Sequence, residues 1–149
     1  MKQTTLKGIV RVLPKMQKYN ISWDGKSRSV FQREVKLFLQ PYWKYDIVLE
    51  ELPILGCGTK LYGDIYNYSK KILVEASGEQ HYTRNTFFHG KGFKGQTAFA
   101  AQFNRDCLKQ KWCENNKVVF IEIPYKEWYE CKNLDAKLKI FQNQGINLC

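Results

Sequence analysis

The chain has 149 residues, enough for one domain around one core, and its 44% hydrophobic and 15% aromatic content excludes a disordered chain. It contains no apolar run of about 18 residues and no uninterrupted apolar stretch near the N-terminus, so neither a membrane span nor a signal peptide is expected. Lysine and arginine number 24 against 14 aspartate and glutamate, a formal net charge of +10, which favours a polyanionic partner such as nucleic acid or an anionic surface.

Residues 1–26 alternate weakly and read as a short basic hairpin or arm, with a turn at Asp24-Gly25. Residues 27–128 carry the core pattern, and 129–149 a C-terminal helical piece. "SRSVFQREVKLFLQ" is expected to be helical. Ser27 or Ser29 caps it, Phe31, Val35, Phe38 and Leu39 share a face, and Pro41 ends it. Glu34 falls between Phe31 and Phe38 on that face, so it either meets a positive group or reaches water at the stripe's edge.

"YDIVLEELPI", "TKLYGDIYNY" and "KKILVEAS" follow as an antiparallel meander turning at "GCG" and "NYSKK". Glu50 and Glu51 adjoin on the first of these strands, where alternation points one away from the other. A Gly- and Lys-rich loop, "HGKGFKGQ", leads to a second helix at about Thr97–Cys113, with Phe99, Phe103 and Gln110 on one face and Asp106 beside them. "KVVFIEIP" reads as a central strand, and a last helix runs from about Leu134 to Phe141. The fold class is therefore α/β, an α+β sandwich around one sheet, with the aromatic residues mostly in its core. Cys57, Cys107, Cys113, Cys131 and Cys149 form no CxxC pair and read as reduced thiols, consistent with an expected cytoplasmic location.

The chemistry concentrates in "LYGDIYNYSKKILVEASGEQHY". Asp64 and Glu75 lie on consecutive strands around a tight turn, so pairing brings both carboxylates to one edge of the sheet. They are either an exposed pair at a strand end or ligands of a hard cation. Mg²⁺ (or Mn²⁺) suits two carboxylates, with the Ala76 carbonyl completing the protein's share and Glu34 joining through water. On so basic a chain such a cation would serve phosphodiester cleavage, by activating water and neutralising phosphate charge. His81 is either a structural histidine or a general acid–base group. Lys91 and Lys94, in the glycine-rich loop, are candidate phosphate contacts. Arg105, Asp106 and Lys109 read as an ion-pair network behind the site, with Arg105 and Lys109 also candidate nucleic-acid contacts.

The order "LYGDIYNYSKKILVEASGEQHY", "FNRDCLKQKWC", "VVFIEIPY" resembles the core of the PD-(D/E)XK nuclease superfamily, and most closely its very-short-patch-repair-like branch with small bacteriophage and homing-type endonucleases. The resemblance covers roughly residues 27–128. It implies a restriction-endonuclease-like sheet in αβββαβ order and a Mg²⁺-dependent DNA endonuclease. In it Asp64 and Glu75 hold the metal, Glu34 is the acid of the first helix, His81 the catalytic histidine, and Gln80 its neighbour that polarises water or phosphate. One departure stands out: Ser77 occupies the position of the E-x-K lysine, and Lys70 and Lys71 lie too far along the strand to replace it. A homodimer would let one short domain grip both strands of a duplex or branched DNA. The alternatives are a non-catalytic nucleic-acid-binding protein on a decayed nuclease core, and an RNA-processing nuclease.

Overall fold

A computed structural model describes residues 1–77 and 93–149. The architecture is α+β, a four-stranded mixed sheet flanked by helices. A hairpin of β1 (Lys2–Thr4) and β2 (Val10–Val12) comes first, followed by one 3-10 turn at Met16–Tyr19. Helix α1 (Val30–Trp43) precedes the meander β3 (Val48–Ile54), β4 (Leu61–Asn67) and β5 (Ile72–Ser77). Helix α2 (Phe93–Asn115) leads into β6 (Val119–Pro124), which lies parallel to β5, and α3 (Tyr125–Glu130) and α4 (Leu134–Gln142) close the chain.

Alternation along the strands divides the core into two faces. Val48, Ile65, Ile72, Val74, Ile121 and Ile123 pack against α1, α3 and α4 through Phe31, Val35, Leu39, Trp43, Trp128 and Phe141. Leu49, Tyr66 and Leu73 face the other way, onto Trp112 and Cys113 of α2 and Leu13 beside the hairpin. Gln3, 1% exposed, pins that hairpin down: its amide donates to the Pro53 carbonyl, and its oxygen accepts from Leu55 N–H and the Trp112 indole.

Four local expectations need correcting. Pro41 does not end α1; Ser29 caps the helix through Gln32 N–H, and the helix runs two residues past the proline. The proline removes one backbone donor, and burying Trp43, 1% exposed, offsets that loss. Helix α2 begins at Phe93, a turn before Thr97, and its inward face is Lys109, Trp112 and Cys113. Phe103 is 61% exposed and Gln110 is exposed too, whereas Lys109, Trp112 and Cys113 in the C-terminal turns are buried; Phe99 lies among the side chains outside the described ones. The fourth strand, β6, is an edge strand, although Ile121 and Ile123 are fully buried by helices. Gln144 meets its outer edge: the side-chain oxygen accepts from Glu122 N–H and the amide donates to Glu122 C=O.

The fourth correction concerns Glu50 and Glu51. Strict alternation separates them, yet Gln32 Nε2 donates to both, at 2.9 Å each. Glu51 has φ 54°, a left-handed conformation costly for a non-glycine residue, and the side-chain phase slips there. Leu49 and Leu52, three residues apart, consequently belong to the same core face.

Candidate functional site

The β4–β5 ladder pairs Ile65 with Val74, and the next pair in the same register is Asp64 and Glu75. There the backbone hydrogen bonds give way to carboxylates. Asp64 N–H donates to Glu75 Oε2 (2.7 Å), and Ala76 N–H donates to Asp64 Oδ2 (2.9 Å). Each acid thus takes the place of a backbone carbonyl for the opposite strand. Asp64 lies two residues from Tyr66 and Glu75 two from Leu73, so both acids share the face covered by α2.

Two buried carboxylates demand positive charge. Helix α2 supplies it from within: Lys109, only 7% exposed, donates to Glu75 Oε1. The segment before α1 supplies it from outside: Arg28, with a side chain 60% exposed, donates through Nη2 to Asp64 Oδ1 at 3.2 Å. Its Nε stands 4.0 Å from Glu51. Burial, and then the neighbouring Asp64 charge, push the Glu75 carboxyl up to about 8. Burial also raises Asp64, against the pull of Lys109, Arg28 and the Ala76 amide. Lys109 is raised in turn; burial opposes its charge, and the two carboxylates outweigh burial. Burial thus outweighs the charge that Lys109 and Arg28 bring, and the pair favours an added proton or cation.

Beside the pair stands a second polar knot. Lys36 is fully buried on α1 and spends its three protons on Ser22 O (2.9 Å), Gly25 O (3.0 Å) and Glu50 Oε1 (3.1 Å). Glu50 Oε2 accepts from Ser27 as well (2.6 Å). These bonds fasten the turn carrying residues 22–28 to α1 and so hold Arg28 near Asp64.

Of the expected site residues, Asp64, Glu75 and Ala76 come together. Glu34 does not join them: it lies on α1, which packs on the opposite face of the sheet, and its carboxylate meets the Tyr129 hydroxyl. Burial and that carboxylate push the hydroxyl up to about 12. Lys109, expected among the nucleic-acid contacts, is turned inward onto Glu75, while Arg105 is exposed on α2. Lys94 falls in the first turn of α2, and Gln80, His81 and Lys91 lie outside the described residues. Arg28 is not singled out by the sequence, and Glu51, like Glu50, is not assigned to the site by it. The signal for Arg28 was the run "GKSRS", basic residues just before a capped helix.

For a divalent cation the donors fit in kind, since Mg²⁺ takes one or two carboxylates from a protein and fills its shell with water and phosphate. All four carboxylate oxygens already accept from N–H groups or cations, so a metal would have to displace Arg28 or share oxygens with it. Among the described residues no group of three or more acidic, histidine or cysteine side chains is arranged to hold a metal.

No known protein family and no solved structure matches the chain. It is similar in part to two viral proteins. Uncharacterized protein 033L of Invertebrate iridescent virus 3 is 41% identical over 73 residues, 49% of this chain and 34% of that protein. Uncharacterized protein 307L of Invertebrate iridescent virus 6 is 42% identical over 62 residues, 42% of this chain and 29% of that protein. The chain spans about a third of the length of the curated relatives it matches.

Proposed function

We propose that the chain is a metal-dependent endonuclease acting on DNA, with its reactive centre at Asp64 and Glu75. The observation that carries this reading is the pair itself. Two acids meet in register at the end of a strand pair, are buried, and are matched by a lysine from a separate helix. Fold stability alone does not call for such an arrangement, since burying like charges is costly.

Asp64, Glu75 and the Ala76 carbonyl would hold the cation. When bound, it would lower the pKa of a water and neutralise charge on the phosphate. The chain's own residues do the rest. The two strand amides fix the carboxylates, so little reorganisation is needed when charge moves. Lys109 keeps its proton between both acids and supplies positive charge from α2. In the resembled family that charge comes from the position occupied here by Ser77. Arg28, at the solvent side of Asp64, can meet a phosphate oxygen.

The test is plasmid nicking with Mg²⁺ or Mn²⁺, run on wild type and Glu75→Ala. Nicking by wild type and none by a folded variant is expected. A wild type that cuts neither supercoiled, branched nor RNA substrates would end the enzyme reading. The second reading is a nucleic-acid-binding protein on a nuclease-like core that has lost activity. It draws on the full occupancy of the four carboxylate oxygens and would show tight DNA binding without cleavage.

A further inference from the structure

Arg28 lies where two open clefts meet. One, about 430 Å³, runs past Lys26, Arg28 and Arg33 at the start of α1. The other, about 440 Å³, is lined by Lys18, Tyr19, Lys26, Arg28, Glu51 and Tyr62, among others. Lys18, Lys26, Arg28 and Arg33 are all exposed, and among the described residues Lys18, Lys26 and Arg33 have no ionic partner. Lys18 stands 5.5 Å from the Tyr19 ring centre, and Tyr62 is 41% exposed. The acids of this surface are Asp24, Glu50 and Glu51. Glu50 is matched by Lys36, Ser27 and Gln32, and Glu51 by Gln32 and Arg28. Lys18, Lys26 and Arg33 thus outnumber Asp24, the acid of this surface with no cation matched to it, and the two clefts share Lys26 and Arg28, whose tip rests on Asp64.

We infer that these clefts form a track for a nucleic-acid phosphate backbone, and that Arg28 exchanges Asp64 for a strand phosphate at the inner end. The inference rests on the nuclease reading only in where the strand leads. Phosphates spaced along a backbone match separated cations, and the exposed Tyr62 ring beside them gives a base or sugar an apolar surface. Arg28 has the geometry for exchange, an exposed stem with its guanidinium tip on a buried acid. A cation on Asp64 would release that tip, and a phosphate would then accept it.

Binding of a short labelled DNA duplex, followed by anisotropy across a salt series in EDTA, tests the track without any cleavage. The double variant Lys26→Gln/Arg33→Gln is expected to bind about 10-fold more weakly, with the slope of log affinity against log salt reduced by about 2. Lys44→Gln/Lys126→Gln removes the same charge elsewhere and should bind as wild type. Arg28→Gln should bind nearly as wild type in EDTA, where Asp64 holds the side chain, and about 3- to 10-fold more weakly in Ca²⁺. Melting curves establish that each variant is folded.

Equal losses in the two double variants would overturn the track in favour of net charge alone. Binding to phosphatidylserine vesicles but not to DNA, through the same residues, would overturn it in favour of a membrane surface. An equal Arg28→Gln loss with and without Ca²⁺ would overturn the exchange. A wild type that binds DNA through the track yet never nicks it sinks the nuclease reading alone. A nicking wild type whose track variant binds undiminished sinks the track alone.

Discussion

The β4–β5 pair carries an acid–cation cluster at each end, and the two clusters behave oppositely. At the turn end, Asp46 accepts from the Asn67 amide (2.8 Å) and pairs with Lys70 (3.2 Å), whose side chain is 50% exposed. Burial there acts to raise the Asp46 carboxyl, but Asn67 and Lys70 outweigh it and hold the group below its ordinary value. At the other end, Asp64 and Glu75 have stronger partners and still titrate high, because burial and mutual repulsion exceed what Lys109 and Arg28 return. Water, rather than the number of partners, decides the sign. The turn end looks built to close a hairpin, and the buried end to hold charge in readiness.

The largest way to break this contrast is Lys109→Met, which leaves the buried Glu75 without a cation. A loss of about 3–5 kcal/mol in denaturant unfolding is expected, together with loss of nicking. An intact stability would mean that the acids are neutral without Lys109. Asp64→Asn should separate folding from function: the amide oxygen can still accept from Ala76 N–H, and the like-charge repulsion disappears. Stability should stay within about 1 kcal/mol of wild type, or rise, while nicking vanishes. Asp46→Ala, at the turn end, should cost at most about 1 kcal/mol and leave nicking untouched.

The smallest effect is in pH. The folded Asp46 pKa lies below its unfolded value near 3.8, so its contribution is present above that value and lost as pH falls through the folded one. The stability gap between wild type and Asp46→Ala should accordingly be constant at neutral pH and close below about pH 4. A gap that persists in strong acid would assign it to the Asn67 contact alone.

How much of this the sequence disclosed follows from how locally each feature is encoded. Asp64 and Glu75 were legible because a short turn between two β-patterned runs fixes their register without help from the rest of the chain. Helix α1 and the meander were legible for the same reason. Arg28 was not, because it sits in an aperiodic segment and only the Lys36 anchor brings it to the sheet's end. Glu51 was missed because alternation assumes ordinary strand dihedrals, and its φ of 54° breaks that assumption. The spacing of Arg105, Asp106 and Lys109 pointed to an ion-pair network behind the site, and Lys109 does pair with Glu75; its burial was not legible, because a buried lysine differs from an exposed one solely in what it meets. The edge position of β6 was hidden by helices that bury it as thoroughly as neighbouring strands would.

Gln144 has a consequence for assembly. Its amide occupies the donor and acceptor of Glu122 that an incoming strand would use. The opposite edge is similarly taken: Asn20 bridges Leu49, Ile21 N–H reaches Val48 C=O, and Gln3 engages Pro53 and Leu55. A strand arriving at either of these places would first have to displace those contacts.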